Sequence, residues 1–148
     1  MNLIAVALAT AAWLAPIPGA LVEQDFSPPT KAWGAGHRGV DFEADPGTEV
    51  LAIGSGEVIF VGEIAGKPVV VIDHPTIGLR STYEPVTAIV EVGQEVRSGD
   101  PLGETAETGG HCAGHCLHLG LKGPGKNDYR NPLSIITHGS AVLKAPKT

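Results

Sequence analysis

The stretch GTEVLAIGSGEVIFVG, residues 47–62, decides the fold class of this chain. Short runs rich in Val, Ile and Phe alternate with glycines, a pattern typical of strands and tight turns rather than helices. Gly54-Ser55-Gly56 predicts a hairpin-type connection between strands at 47–54 and 57–62. The following run, Pro68 to Asp73, is too apolar for a solvated face, so we expect a central strand there.

The glycine punctuation continues to the end of the domain. Further strands are predicted at 79–83, 87–92 and 117–121, and Asn131-Pro132 closes the series. Gly93-Gln-Glu-Val echoes Gly47-Thr-Glu-Val, and two such half-motifs packed face to face would form a sandwich; the alternative is chance recurrence among 20 glycines. The sequence therefore predicts an all-β sandwich of short strands.

Length and charge limit the classes of function. At 148 residues the chain is long enough for one domain with its own apolar core. The formal net charge is −6 and no basic stripe is present, so we predict no nucleic-acid partner. Oligomeric state is not indicated by any pattern.

The first twenty residues have the character of a leader. Leu3 to Ala15 is nearly continuous apolar sequence, followed by Pro16, Pro18 and Gly19, with Ala20 as a candidate cleavage position. Such a run is too short to span a bilayer core of about 30 Å but fits the apolar core of a signal peptide. No Lys or Arg precedes Lys31, so a buried segment of the fold is the alternative.

These features predict a secreted or cell-envelope protein with no membrane span in the mature chain. The predicted organisation is a signal peptide at 1–20, an irregular lead-in at 21–36, the functional domain at 37–136 and a frayed tail at 137–148.

Two fragments carry candidate ligands, HRGVD (37–41) and CLHLG (116–120). His37, Asp41 and His118 are two imidazoles and one carboxylate, a set that leaves zinc one open coordination position. His37 and Asp41 would lie about 13 Å apart on a fully extended strand, so we expect a bend, which Gly39 permits. Alternation around Leu117 and Leu119 turns His118 away from the apolar layer.

The segment before His118 also contains His111, Cys112, His115 and Cys116. In an oxidising compartment Cys112 and Cys116 are expected to form a disulfide, whereas in the cytosol the same pair would read as metal ligands. The two readings exclude each other.

The ordered series of motifs from His37 to Pro132 resembles the lysostaphin/LytM-type zinc endopeptidases, which cut peptide bonds in bacterial cell walls. The matching elements are H-x-G-x-D at 37–41, G-T-x-V-x-A at 47–52, G-x-V at 56–58, I-D-H at 72–74, S-T-Y at 81–83, V-x-x-G-x-x-V-x-x-G at 90–99, Leu117-His118 and Asn131-Pro132. The resemblance implies an antiparallel β-sandwich with a groove over a zinc ion that His37, Asp41 and His118 bind, and peptidoglycan as the partner.

The chain departs from this family at two auxiliary histidines. Pro85 stands where the family has a histidine two residues after the tyrosine, and Cys116 stands at the first histidine of H-x-H. His111 or His115 could supply the missing imidazole from the adjacent loop, with no choice between them at this point. Tyr83 is a weaker candidate for stabilising an oxyanion, and His74 is expected to be structural.

Two functions follow from these observations. The first is a secreted zinc metallopeptidase acting on wall peptides. The alternative is a degenerate zinc-binding domain that binds the wall or regulates another wall hydrolase without cutting. A biotinyl-carrier-like domain is excluded because its lysine is flanked by methionine and the only methionine is Met1. A phosphoryl-accepting histidine is disfavoured by the export signal.

Overall fold

The computed structural model describes residues 12–30, 35–107, 115–136 and 143–144. Within these residues the chain forms twelve strands and one short 3₁₀ helix at Pro132–Ser134. The strands are β1 (Leu21–Gln24), β2 (Gly39–Glu43), β3 (Glu49–Leu51), β4 (Gly56–Ile64), β5 (Lys67–His74), β6 (Leu79–Glu84), β7 (Val86–Ala88), β8 (Glu95–Val96), β9 (Pro101–Thr105), β10 (Cys116–Lys122), β11 (Tyr129–Arg130) and β12 (Leu143–Lys144).

The strands form two sheets. The larger has nine strands in the order β12-β1-β2-β10-β6-β5-β4-β8, with β11 paired to the end of β10, and the smaller has the order β3-β9-β7. Every pair is antiparallel except β1 with β12. The predicted all-β, antiparallel sandwich is confirmed, and the run beginning at Pro68 is an inner strand, β5, as expected.

The core lies between the two sheets. Val50 and Leu102 of the small sheet join one hydrophobic cluster with Phe42 and Leu119 of the large sheet. From Leu117 to the end of β10 the residues alternate, with Leu117, Leu119 and Leu121 buried and the residues between them half-exposed. Period-2 alternation of this kind gives the large sheet one face in the core and one open face.

Tight turns set the register of the strands. Ala65 and Gly66 both have positive φ, 51° and 79°, and join β4 to β5 in a two-residue turn of the type that matches strand twist. Gly47 and Gly93, the first residues of the two echoed motifs, have nearly the same φ, 88° and 92°. Each precedes a short strand with a buried valine, so the two copies share their local conformation.

The apolar N-terminal segment packs on the domain from residue 13 onward. Ala15 and Ile17 are buried members of the core, and the Trp13 ring packs edge-on to His74 at a centroid distance of 4.9 Å. The Leu14 amide donates to the Ile53 carbonyl at 2.8 Å, and the Leu51 amide donates to the Pro16 carbonyl at 2.8 Å. Residues 13–17 therefore pack as the alternative, a buried segment, would, while removal of residues 1–20 as a signal peptide stays a prediction.

Three boundaries differ from the sequence prediction. The lead-in at 21–36 is not irregular throughout, because β1 pairs with β2. In the tail, β12 pairs with β1, so the two residues of β12 are not frayed. The predicted strand at 87–92 is shorter and ends at Ala88. The described residues contain no helix with the length and apolar character needed to cross a bilayer.

Candidate metal centre and groove

Two neighbouring strands and the turn before one of them bring three candidate ligands together. Asp41 on β2 is the register partner of His118 on β10. His37 precedes β2 and forms an isolated bridge with Ser27, and the chain bends at Arg38 before the strand begins. The expected bend is present, and it lies one residue before Gly39.

The three side chains converge on one carboxylate oxygen. Asp41 Oδ1 lies 2.8 Å from His118 Nδ1 and 3.1 Å from His37 Nε2. The three donor atoms all lie within 4.8 Å of one another. Asp41 is fully buried, His37 is 6% exposed and His118 is 19% exposed, so solvent reaches the cluster mainly at His118. The structure thus brings together all three residues that the sequence predicts as zinc ligands.

A backbone carbonyl orients His37. His37 Nδ1 lies 2.9 Å from the Asp25 carbonyl oxygen, and since a carbonyl only accepts, the nitrogen donates its proton there. This tautomer leaves the lone pair of Nε2 directed at Asp41, the arrangement that metal-binding histidines adopt with their outer partners.

The donor set fits a divalent cation such as zinc. A buried carboxylate is costly unless a positive group compensates it. Nitrogen and oxygen donors at these separations can close on one ion at about 2.0–2.2 Å each with small side-chain movements. Their role as metal ligands stays a prediction.

Gly39 is required by the second imidazole. A Cβ at this position would lie 2.3 Å from the Leu119 carbonyl oxygen and 2.7 Å from His118 Nε2. The glycine of H-x-G-x-D therefore makes room for the His118 ring. From the sequence alone we expected this glycine to permit a bend.

On the open face of the large sheet, cross-strand partners on β6, β10 and β2 form three rows that run across the strands. The cluster lies in the first row. In the first row Glu84 on β6 faces His118 on β10, and His118 faces Asp41 on β2. The second row contains Thr82, Gly120 and Gly39, and the third contains Arg80 and Lys122. Glu84 shares the face of His118 because Tyr83 beside it is buried in the core. Sequence reasoning missed Glu84, although the alternation of β6 carries the signal.

Of the two positions at which the family has histidines, and of the two loop histidines predicted to replace them, the structure describes only some. His115 is 63% exposed, and its Nδ1 lies 3.4 Å from Asp45 Oδ1. Cys116 opens β10 and is buried. His111 and Cys112 lie outside the described residues, so the disulfide and the role of His111 stay predictions.

Tyr83 and His74 belong to a buried polar chain inside the sandwich. The Ile53 amide donates to the Tyr83 hydroxyl at 3.0 Å, Tyr83 and Ser81 hydroxyls are 2.9 Å apart, and Ser81 Oγ is 2.7 Å from His74 Nε2. His74 Nδ1 donates to the Ser55 carbonyl at 2.8 Å.

The protonation state of His74 determines which group donates and which accepts in each of these hydrogen bonds. Burial lowers the pKa of His74, so the imidazole is neutral and its Nε2 accepts the Ser81 proton. Burial likewise raises the pKa of Tyr83, which then donates to Ser81 as a neutral phenol. Both side chains lie inside the sandwich, and the structural role expected for His74 stays a prediction.

Comparison with known proteins places these observations in a family. Residues 35–132 match peptidase family M23. An uncharacterized protein of Mycobacterium tuberculosis (strain ATCC 25618 / H37Rv) is 43% identical over 130 residues, which cover 86% of this chain and 51% of that protein. This chain thus spans about half the length of its mycobacterial relative.

Solved structures share the fold. Lysostaphin, the antimicrobial peptidase from Staphylococcus simulans, matches with a TM-score of 0.71 at 25% identity, covering 93% of this chain and 59% of lysostaphin. A zinc-containing peptidase from Vibrio cholerae matches with a TM-score of 0.68 at 23% identity, covering 88% of this chain and 41% of that protein. The resemblance drawn from the sequence motifs is confirmed: the chain belongs to peptidase family M23.

Proposed function

We propose that this protein is a zinc metallopeptidase that hydrolyses peptide bonds of bacterial peptidoglycan. The observation that carries the proposal is the convergence of His37 Nε2, Asp41 Oδ1 and His118 Nδ1 within 4.8 Å on the open face of the sheet. Membership of family M23 and the shared fold with a zinc-containing peptidase and with lysostaphin support it.

At this centre some residues would bind the ion and others would orient those ligands. Asp41, His37 and His118 would hold the ion, and the Asp25 carbonyl fixes the tautomer of His37. Bound zinc polarises a peptide carbonyl and lowers the pKa of its water toward 7. Gly120 in the second row has no side chain and is half-exposed, so an extended peptide could lie over the sheet beside the His118 ring.

The proton acceptor is proposed among groups that flank the centre. His111 and His115 remain candidates from the adjacent loop, and the 3.4 Å contact between His115 Nδ1 and Asp45 Oδ1 would orient the His115 ring. Glu84 is a third candidate, since cross-strand partners place their Cβ atoms about 4.5–5.5 Å apart and its partner is His118. General acid–base help is typically worth 10²–10⁴-fold in rate.

Export is part of the proposal because peptidoglycan lies outside the cell membrane. The apolar N-terminal segment supports it, and an oxidising compartment would favour the Cys112–Cys116 disulfide. Residues 13–17 pack into the domain, so N-terminal sequencing of the exported protein decides whether the segment is removed at Ala20 or retained. Mass measurement of unfolded, alkylated protein tests the disulfide, which two free thiols would refute.

The second candidate function is a zinc-binding domain that binds the wall, or regulates another wall hydrolase, without cutting. Pro85 and Cys116 favour it, because both stand where the family has histidines.

One experiment separates the two functions. The full chain, loaded with one zinc, is incubated with purified peptidoglycan and with cross-linked stem peptides, and new amines are identified by mass spectrometry. We expect cleavage that a chelator abolishes and that the matched variant His118→Ala lacks. Stoichiometric zinc without cleavage would refute the peptidase and leave the binding or regulatory function.

A further inference from the structure

The third row of the open face carries positive charge. Arg80 on β6 faces Lys122 on β10, and Lys122 faces Tyr129 on β11. Residues that face each other across neighbouring strands project on the same side of the sheet, so this row shares its face with His118. The positive charge is a local property of this row, whereas the chain as a whole has a net charge of −6.

Contacts hold this row in place. Lys122 Nζ lies 5.6 Å from the centroid of the Tyr129 ring, and Arg38 Cζ lies 5.6 Å from the same centroid. Cation–π contacts at this separation fix the stems of long basic side chains. Arg80 Nε lies 3.8 Å from Asp73 Oδ1, and both are substantially exposed.

One ammonium is left without a carboxylate partner. Among the described residues no carboxylate lies within the 4.0 Å ion-pair distance of Lys122 Nζ, whereas Arg80 shares Asp73. Arg80 and Lys122 also line a cleft of about 370 Å³ together with Asp73, and the cleft extends to Gly123 and Pro124. Two cations and one carboxylate leave one net positive charge among these side chains. A cleft with excess positive charge and room for a small group is suited to an anion.

The cleft and the candidate metal centre share strand β10. His118 and Lys122 are four residues apart on β10, a separation of about 13 Å along an extended strand. Gly120 between them has no side chain, and its neighbours across the strands are Gly39 and Thr82. A peptide crossing the metal centre along β10 therefore reaches the basic row after three to four residues.

We infer that Arg80 and Lys122 form a subsite that binds a free carboxylate of the peptide substrate, about 13 Å from the bond to be cut. The substrate class is then an acidic peptide rather than an uncharged one. This inference rests on the proposed peptidase function and adds to it the chemistry by which substrate is selected. Tyr129 positions the Lys122 ammonium, and Asp73 limits the site to one anionic group by using part of the Arg80 charge.

The test compares cross-linked stem peptides from peptidoglycan with the same peptides after carbodiimide-mediated amidation, which replaces their carboxylates by amides. Each is titrated into the zinc-loaded, ¹⁵N-labelled full chain, and the amide signals of residues 80 and 122 report binding by NMR. Cleavage products are measured in the same samples by mass spectrometry. The variants are Lys122→Gln and Arg80→Gln, with Arg97→Gln as the matched control, since Arg97 is an exposed cation on the turn after β8.

Amidation should weaken binding to the unmodified chain by roughly threefold to tenfold, the range for one charge-assisted contact partly exposed to solvent. The ratio should fall toward one in Lys122→Gln and in Arg80→Gln and persist in Arg97→Gln. Amidation makes the peptide more positive. If binding depended only on attraction to the net negative protein, amidation would therefore strengthen it.

Three results would overturn the inference. These are equal binding of native and amidated peptides, equal loss in Lys122→Gln and Arg97→Gln, and absence of binding by the native peptides. Cleavage without dependence on the carboxylate would remove the subsite and keep the peptidase. Carboxylate-dependent binding without cleavage would keep the subsite and refute the peptidase.

Discussion

Gly39 and Gly120 face each other across β2 and β10, yet alanine should have opposite effects at the two positions. A Cβ at Gly39 would lie 2.3 Å from the Leu119 carbonyl oxygen, and a Cβ at Gly120 would lie 3.8 Å from its nearest neighbour, the Thr82 Cβ. Because carbon atoms pack at about 3.5–4.0 Å, Gly39→Ala forces the strands apart by roughly 1 Å, whereas Gly120→Ala makes an ordinary contact.

These distances give the expected size of each effect. Overpacking a tight site costs about 1–3 kcal/mol, and Gly39→Ala should lower the free energy of unfolding by that amount. Gly120→Ala removes backbone freedom from the unfolded chain and should be neutral or stabilise by about 0.5–1 kcal/mol. The same Cβ at residue 39 would meet His118 Nε2 at 2.7 Å, so displacement of the ring should weaken zinc binding by roughly tenfold or more.

Urea unfolding of the metal-free chains measures the first effect, and competition with a chromophoric chelator measures the second. Gly120→Ala is the control for both, since it adds the same methyl group in the same row. If Gly39→Ala unfolds at the same urea concentration as Gly120→Ala and retains zinc equally well, the steric reasoning about His118 is wrong.

Four further expectations follow from the site and the core. His118→Ala should lose zinc while Cys116→Ala keeps it; equal loss by elemental analysis would indicate a Cys/His site instead. Tyr83→Phe should destabilise by about 1–3 kcal/mol in urea, because a buried amide loses its acceptor, while peptidoglycan cleavage persists; lost cleavage in a folded variant would restore a catalytic role. Burial lowers the pKa of His74, so as the pH falls the imidazole of the unfolded chain takes up its proton before that of the folded chain. The stability that the neutral ring contributes is complete above about pH 6.5 and is lost as the pH falls, with a slope of at most about 1.4 kcal/mol per pH unit. His74→Gln should flatten that slope in urea unfolding at several pH values, and an unchanged slope would contradict the assignment. Glu84→Gln should reduce cleavage by about 10²–10⁴-fold at unchanged zinc content if Glu84 is the proton acceptor, and a rate equal to that of the unmodified chain would exclude it.

The strands and the sandwich could be predicted because each depends on short-range pattern. The convergence of His118 with Asp41, 77 residues away in sequence, was predicted from the donor set and the family resemblance, not from local pattern. Alternation around Leu117 and Leu119 determined the orientation of His118. The hairpin predicted at Gly54-Ser55-Gly56 is wrong, because β3 and β4 lie in different sheets and these residues cross from one sheet to the other. The three-row arrangement could not be predicted in the same way. It depends on which residue of β6 faces which residue of β10, and that register is fixed by pairing between segments far apart in sequence.

The packing of the N-terminal segment could not be predicted, because its composition fits two environments. A leader core and a buried segment are both short and apolar, so Ala15 and Ile17 read alike in either role. What distinguishes them is the match with partners elsewhere, above all the Trp13 ring against Gly54, where a Cβ would lie 2.1 Å from a ring carbon. Gly54, predicted as a hairpin residue, instead leaves room for the indole ring of Trp13.

The pairing of residues 14–16 with residues 51–53 has a consequence for how the protein must be produced and handled. In the order β3-β9-β7, β3 is an outer strand, and the N-terminal segment occupies its outward-facing hydrogen-bonding groups. An uncovered outer strand is a template for pairing with another chain. A chain that begins after Ala20 would present that template beside newly exposed core residues, so it should aggregate, whereas a chain that begins at residue 12 should stay dispersed.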